Sequence, residues 1–124
     1  MKRDEIIFRQ TTRATAKEFF GRTPSSSFNG YEAVLNNKVV GIAGIMYCHG
    51  FRMLFSEMTE EFRPYKREVA KAIRILEGII IKLPYPIVAI AYKKEPFAKK
   101  LLIKLGFIPT DTVTEYGLLY MRTP

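Results

Sequence analysis

The stretch KKLLIKLGFIPTDT, Lys99 to Thr112, carries the pattern that decides the fold. Its apolar residues recur at intervals of three and four, which is the spacing of one buried helix face. Gly106 follows, and glycine readily adopts the left-handed conformation that ends many helices. Phe107-Ile108 then begins a β-prone segment. The stretch therefore predicts a helix that stops at Gly106 and hands the chain to a strand.

The residues upstream predict a helix and a strand in front of this one. Apolar residues recur at helical spacing from Lys66 to Leu83, and Pro84-Tyr85-Pro86 ends that helix. The segment IVAIAY, Ile87 to Tyr92, is short, β-branched and apolar, as a buried strand is. Pro96 suits the first turn of the next helix. Strands and helices that alternate in this way indicate a mixed α/β sheet.

The first half of the chain predicts strands in antiparallel hairpins, after one short helix. Asn tolerates positive φ, so Asn36-Asn37-Lys38 is read as a tight turn between two strands. The predicted elements are a strand at Glu5–Arg9, a helix from Thr11 to Gly21, a loop at Arg22–Gly30, strands at Tyr31–Leu35, Val39–Tyr47 and Phe51–Met58, and, closing the chain, a strand at Phe107-Ile108 interrupted by Pro109-Thr110-Asp111 and a last strand at Glu115–Arg122.

Length and composition favour one soluble domain spanning residues 1–124. A chain of 124 residues with 48% apolar residues can build one core but not two. No apolar run approaches the ~20 residues that cross a bilayer, and the start lacks a secretory signal, so a cytoplasmic protein is expected. The single cysteine, Cys48, excludes an internal disulfide framework. Cys48 and its neighbour His49 point opposite ways along a strand, so they are read as structural, and no metal site is expected.

Positive charge is concentrated in the second half of the chain. Residues 1–62 carry 8 Lys and Arg against 7 Asp and Glu, whereas residues 63–124 carry 12 against 5. This excess favours an anionic partner, although a solvated pair of helix faces explains it as well. Nucleic-acid binding is not expected beyond non-specific contact, because the sequence has no interleaved aromatic and basic ladder.

Two segments carry a resemblance to a known family. AKKLLIKLGF resembles the last helix of the GNAT superfamily of N-acyltransferases with its following Gly-Phe, and LNNKVVGIAG resembles the family's central hairpin. The resemblance extends from Glu5 to Arg122, and a phage-borne acetyltransferase-like protein is a narrower version of it. It implies a sheet of about six strands with helices on both faces. Two central parallel strands, here Phe51–Met58 and Ile87–Tyr92, would splay apart to hold acetyl-CoA as co-substrate.

The resemblance also implies where the cofactor binds. The backbone at the end of the first splayed strand, Met58 and Thr59, would hold the pantetheine arm. The N-terminus of the following helix would receive the pyrophosphate, as helix N-termini do for anions. The cofactor residues that the resemblance implies in and around this loop are Arg63, Tyr65, Lys66, Arg67 and Glu68, and Lys99 on the last helix would meet a further phosphate.

The sequence departs from the family pattern at four positions. The family writes its phosphate loop as Q/R-x-x-G-x-G/A, and only Arg63 matches, because Lys66 and Glu68 occupy the two glycine positions. A helix Asn of the family aligns with Glu95. The Tyr that often protonates the departing thiolate aligns with Leu102.

Three side chains are candidates for acid–base chemistry on an amine and a thioester. Glu57, near the end of its strand, is the candidate base, with an exposed strand carboxylate or an ion pair to Arg52 as the alternative interpretation. Tyr116 and Tyr120 on the last strand are candidate acids for the thiolate, with core or hairpin packing as the alternative for each.

Two functions remain open at this point. The first is an acyl-CoA-dependent N-acyltransferase that moves an acetyl group to an amine on a small molecule or a protein. The second is a catalytically inactive binding or structural protein with the same fold, in a phage virion or in contact with a host. A homodimer is compatible with either. The sequence does not decide whether the chain is an enzyme, and it does not identify the acceptor.

Overall fold

In the computed structural model, one sheet of seven strands carries three helices, described for residues 5–21, 27–48, 50–93, 95 and 97–124. The elements in chain order are β1 (Ile6–Gln10), α1 (Arg13–Phe20), β2 (Ser27–Leu35), β3 (Lys38–Cys48), β4 (Phe51–Met58), α2 (Lys66–Ile80), β5 (Ile87–Tyr92), α3 (Ala98–Lys104), β6 (Ile108–Val113) and β7 (Gly117–Arg122). The strand order across the sheet is β1-β2-β3-β4-β5-β7-β6. The predicted mixed α/β sheet is confirmed, with seven strands rather than about six.

Strands β1 to β4 form an antiparallel meander, as the sequence predicted. Asn36 and Asn37 adopt φ values of +50° and +65°, which gives the turn between β2 and β3 the twist that a tight hairpin needs. Strand β4 is paired with β3 along its whole length, from Gly41↔Met58 to Cys48↔Phe51. The observed bounds of β4 and β5 are those predicted.

Several predicted boundaries are wrong; the start of β7, for example, is Gly117 rather than Glu115. Strand β2 begins at Ser27 rather than Tyr31, because Phe28 to Gly30 pair with β3. Helix α2 ends at Ile80 rather than Leu83. Strand β6 continues through Pro109, which an edge strand tolerates because its outer N–H groups need no partner. Pro96, His49 and most of the predicted loop before β2 lie outside the described residues.

Helices cover both faces of the sheet, as predicted. Along β4 the side chains alternate, so Leu54 and Phe55 point to opposite faces. Leu54 packs in the core beneath α2 and α3, in a cluster with Ile45, Leu76, Ile80, Ile87, Ala89, Leu102, Leu105, Phe107 and Tyr120. On the other face, Phe20 of α1 packs edge-on against Phe55 with ring centroids 6.5 Å apart. We call these the α2/α3 face and the α1 face.

A buried carboxylate anchors α1 to the sheet. Glu32 is 1% exposed, and its two oxygens accept hydrogen bonds from Arg9 Nε at 2.7 Å and from Thr15 Oγ1 at 2.6 Å. Thr12 caps the helix in a capping box with Thr15. Because the Glu32 carboxylate is paired on both oxygens, its burial serves the attachment of β1 and α1 to β2.

Gly106 explains why α3 ends where it does. Its φ is +89°, a left-handed conformation that side-chain-bearing residues adopt at a cost. The turn closes with hydrogen bonds from Gly106 N–H to Ile103 O at 3.0 Å and from Phe107 N–H to Leu102 O at 2.9 Å. Phe107 is then 3% exposed in the core, so the residue after the glycine anchors the return of the chain to the sheet.

Candidate active site

The sheet opens between β4 and β5. These two strands are parallel neighbours, yet a single residue pair, Met53↔Val88, joins them. On the other side of β5, the pairing with β7 runs over six residue pairs from Ile87↔Arg122 to Tyr92↔Gly117. The two strands therefore separate toward their carboxyl ends, Met58 and Tyr92. The predicted cleft between them is confirmed.

The backbone of β4 presents hydrogen-bonding groups to this cleft. Thr59 N–H donates to Val40 O at 2.8 Å, so the backbone of Thr59 points toward β3. In an antiparallel ladder, successive residues point their N–H and C=O groups alternately to the two sides. Ser56 and Met58 consequently point theirs away from β3 and into the cleft, beyond the point where β5 is paired. An extended ligand that carries amide groups could pair with them.

Thr59 adds an unsatisfied side chain at the same place. Its Oγ1 is buried and has no hydrogen-bond partner among the described residues. A buried hydroxyl without a partner is costly, and such groups in native proteins usually meet water or a ligand. The predicted contacts Met58 and Thr59 are thus both at the carboxyl end of β4, beside the cleft.

Helix α2 begins next to this end of β4 with an uncapped N-terminus. Tyr65 occupies the N-cap position, and its side chain makes no capping hydrogen bond. Lys66 N–H donates to Pro64 O at 2.9 Å, whereas the amides of Arg67 and Glu68 have no acceptor in the described part of the chain. Free first-turn amides and the positive end of the helix dipole together favour an anion.

An ion pair links the two loops that flank the cleft. Arg63, in the connection from β4 to α2, donates from Nη2 to Glu95 Oε1 at 2.6 Å, and Glu95 lies in the connection from β5 to α3. Arg63 Nε lies 3.2 Å from Glu60 Oε1 but makes no hydrogen bond, so that contact is electrostatic only. The hydrogen bond from Arg63 to Glu95 raises the pKa of Arg63. Arg63 therefore faces the cleft, although two carboxylates already attract it.

The side chains of the other predicted cofactor residues have different surroundings. Tyr65 packs against the smaller core cluster of β1 to β3. Arg67 and Glu68 border a groove beside β1. Lys66 and Lys99 are exposed on α2 and α3. Of the predicted set, the structure brings together Met58, Thr59 and Arg63, along with the backbone amides at the start of α2.

Glu57 lies on the α1 face at the carboxyl end of β4, where it is exposed. One of its two alternative interpretations, an ion pair with Arg52, is wrong, because residues five apart on a strand point to opposite faces, whereas the exposed position agrees with the other, an exposed strand carboxylate. Arg52 instead stacks on Tyr85, with its guanidinium carbon 3.8 Å from the ring centroid. None of the ion pairs found among the described residues includes Glu57.

The two candidate acids lie in different environments. Tyr116 is 57% exposed, and its ring centroid is 6.2 Å from that of Tyr92 at the carboxyl end of β5. A hydrogen bond with Glu115 raises the pKa of Tyr116. Tyr120 is 1% exposed within the main core cluster on the α2/α3 face, the environment of the packing interpretation.

Sequence reasoning missed two residues of this site. Glu95 had been noted only as a departure from the family pattern, and its contact with Arg63 spans 32 positions of sequence. Tyr92 had been read only as the end of a strand. Tyr92 is 48% exposed at the carboxyl end of β5, and ligands of open α/β sheets bind at the carboxyl ends of the strands.

The described residues contain no group of three or more potential metal ligands. No helix in the described part of the chain is long and apolar enough to span a membrane.

Comparison with solved structures identifies the architecture. An acetyltransferase of the GNAT family from Staphylococcus aureus Mu50 superposes with a TM-score of 0.57 at 15% identity, covering 95% of this chain and 98% of that one. A protein assigned as an acetyltransferase from Acinetobacter baylyi ADP1 gives a TM-score of 0.71 at 14% identity, covering 99% and 95%. The PaiA N-acetyltransferase of Thermoplasma acidophilum, solved with coenzyme A, gives 0.50 at 12% identity, covering 88% and 66%.

No protein-family model matches the sequence, and no curated protein sequence matches it. The similarity is therefore one of three-dimensional structure. The chain has the fold of the GNAT acetyltransferases.

Proposed function

We propose that this protein is an acyl-CoA-dependent N-acyltransferase that moves an acetyl group from acetyl-CoA to an amine. The cleft between β4 and β5 is the observation that carries the proposal. Backbone groups of Ser56 and Met58 face an opening that no neighbouring strand fills, and exposed strand edges inside a sheet require a partner. A pantetheine arm is an extended chain with two amides, which suits such an edge. The donor is an intracellular metabolite, so the reaction would take place in the cytoplasm.

The anionic part of the donor would bind at the start of α2. The free amides of Arg67 and Glu68 and the helix dipole attract phosphate. Arg63 would supply a bidentate cation once it releases Glu95. Lys66 and Glu68 occupy the positions where the family pattern has glycines, which let the backbone approach phosphate closely. Contact with phosphate would therefore be through the first-turn amides and the side chains. Lys99 remains a candidate for a peripheral phosphate.

Amide formation would need little chemistry from the protein. The amine nitrogen attacks the thioester carbonyl, the carbon–sulfur bond breaks, and the amine loses one proton while the thiolate gains one. Glu57, at the end of β4, would accept the amine proton directly or through water. Tyr116 is the better-situated acid for the thiolate, because it is exposed at the carboxyl end of β5, whereas Tyr120 is enclosed in the core.

Thermal unfolding with acetyl-CoA tests the proposal. A ligand at about a hundred times its Kd stabilises the native state by about 2.7 kcal/mol, and a gain of that size raises the Tm by several degrees in a chain of this length. Arg63→Ala is expected to reduce the shift. Arg13→Ala, which removes an exposed cation from α1 on the other face, should leave it unchanged.

The alternative is a binding or structural protein that keeps the fold without turnover. The carboxylates of Glu95 and Glu60 beside Arg63 are the observation that favours it, since they occupy the cation that phosphate needs. Absence of any thermal shift at millimolar acetyl-CoA would support this alternative. Acetyl transfer to a panel of amines can be monitored by the release of free thiol from acetyl-CoA. A thermal shift without such release would show that the protein binds the donor but does not catalyse transfer.

A further inference from the structure

A groove lies between edge strand β1 and helix α2, away from the cleft. Its volume is about 500 Å³, within the range of ligand-binding clefts. The residues that line it are Glu5, Ile6, Phe8, Arg67, Glu68, Lys71 and Arg74. Lys71 Nζ lies 5.4 Å from the centroid of the Phe8 ring, so the helix leans directly over the strand. We propose that this groove binds an extended acidic segment of a partner protein, which adds a strand to β1.

Among the described residues, the outer edge of β1 is unpaired and regular. The sheet order places β1 at one end, paired only with β2, through five consecutive residue pairs. Thr11 N–H donates to Gly30 O at 2.9 Å, so by alternation the backbone groups of Ile7 and Arg9 also point to β2. Those of Ile6, Phe8 and Gln10 then point outward, where an added strand would pair with them.

The opposite edge of the sheet shows what a protected edge looks like. Strand β6 contains Pro109, and its pairing with β7 shifts register between Pro109 and Val113. Proline and irregular pairing both discourage the addition of another strand. Strand β1 has no proline, lysine or bulge in IIFRQ. An edge left this regular is suited to strand addition.

The positive charge of the groove favours an added strand that carries acidic residues. Arg67, Lys71 and Arg74 are spaced four and three residues apart, so they share one face of α2 at intervals of about 6 Å and 4.5 Å. Every second residue of an added strand would recur at about 6.8 Å on the side facing the helix. Acidic residues at alternate positions would each meet a cation. Ion pairs found among the described residues involve none of these three.

A peptide fits these features better than nucleic acid does. A strand edge offers alternating donors and acceptors, which match a peptide backbone but not a sugar–phosphate chain. The groove also contains the carboxylates of Glu5 and Glu68, which would repel a continuous run of phosphates. An acidic strand can place neutral or β-branched residues opposite those carboxylates.

The test uses a fluorescent peptide of about eight residues, with Glu at alternate positions and Thr or Val between them. A second peptide has the same sequence with N-methyl groups on the backbone nitrogens that would face β1. We expect saturable binding of the first peptide at low salt. The affinity of the second peptide should be lower by at least about tenfold, because N-methylation removes the hydrogen bonds of the strand ladder. Hydrogen exchange should slow at the amides of Ile6, Phe8 and Gln10 and stay unchanged at Ile7 and Arg9.

Substitutions test the charge component. Lys71→Gln with Arg74→Gln should weaken peptide binding about three- to tenfold, as expected for two exposed ion pairs. Lys82→Gln with Lys104→Gln removes the same charge elsewhere and should change nothing. Because Lys71 also contacts Phe8, Arg74→Gln alone serves as a second variant if the pair unfolds.

Three results would overturn the proposal. The first is absence of saturable binding at millimolar peptide. The second is equal binding of the N-methylated peptide, or of a single-stranded oligonucleotide of the same charge, which would indicate general attraction of polyanions. The third is an equal loss of peptide affinity in the control variant, Lys82→Gln with Lys104→Gln.

Discussion

The two ends of the β4–β5 pair are each spanned by an arginine, and the two arginines are held differently. At the closed end, where Met53 pairs with Val88, Arg52 stacks on the Tyr85 ring at 3.8 Å. At the open end, Arg63 pairs with Glu95 at 2.6 Å across the loops. Burial raises the pKa of Tyr85, and a phenol is neutral near pH 7 with or without that shift. The closed end relies on packing, whereas the open end relies on charge.

This difference indicates which end can change partners. A guanidinium stacked on an aromatic ring can keep that contact when an anion approaches, because stacking uses its face and leaves its N–H edge free. A guanidinium on an exposed carboxylate exchanges one anion for another at small cost. The fold therefore fixes the strands at one end and leaves the other end available to a ligand. Three comparisons of variants test this difference between the two ends, in order of decreasing expected effect.

Leu54→Ala should have the largest effect, on stability. Leu54 is 7% exposed beside the closed end, within the main core, and truncation of such a leucine costs about 2–5 kcal/mol. Met58→Ala at the open end should cost about 1 kcal/mol, because Met58 is only partly buried. Urea unfolding of both variants measures the difference. Equal losses would show that the open end is packed as firmly as the closed end.

Glu57→Gln should have the next largest effect, on turnover. If Glu57 accepts the amine proton, the glutamine amide that replaces its carboxylate cannot do so. The kcat should then fall about a hundredfold, with the Kd of acetyl-CoA unchanged. Glu61→Gln is the matched control, since Glu61 is an exposed carboxylate a few residues away that faces Lys38 at 3.8 Å. A similar fall in both variants, or none in Glu57→Gln, would exclude Glu57 as the base.

The sequence predicted the fold more fully than the site, and particular elements show why. The bounds of β5 follow from the apolar, β-branched run IVAIAY that begins directly after Pro86, and β4 begins directly after the turn at Gly50. The start of β2 was missed because Ser27 to Gly30 read as a loop. Gly30 belongs in a strand because it lies opposite Gly44, where a Cβ on either residue would meet the neighbouring backbone. Local composition does not contain such a cross-strand requirement.

The positions of candidate residues could be predicted only where they follow from the bounds of a strand or helix that is evident in the local sequence. Met58 and Thr59 end a predicted strand, so their position followed from its bounds. The partner of Arg63 did not follow, because Glu95 comes from a different loop, and the side of α2 that Arg67 and Glu68 occupy depends on how the helix is rotated on the sheet. Helical periodicity predicts which face is buried but not which exposed face borders the cleft.

Glu95→Gln should have the smallest effect, and in the opposite direction to Arg63→Ala. In the free protein, Glu95 holds the guanidinium that a phosphate would need, so binding must first break this pair. Glu95 is 44% exposed at its side chain, and an ion pair in that environment contributes about 0.2–1 kcal/mol. Its removal should tighten acetyl-CoA binding about two- to fivefold.

Equilibrium titration of wild type, Glu95→Gln and Glu115→Gln would measure this effect. Glu115 is an exposed carboxylate in the β6–β7 turn that forms no ion pair with Arg63, so its substitution controls for the change in net charge. Weaker binding in Glu95→Gln would mean that Glu95 orients Arg63 for the donor rather than competing with it. The open end would then be a preorganised site, and the arginines at both ends of the strand pair would serve the same structural purpose.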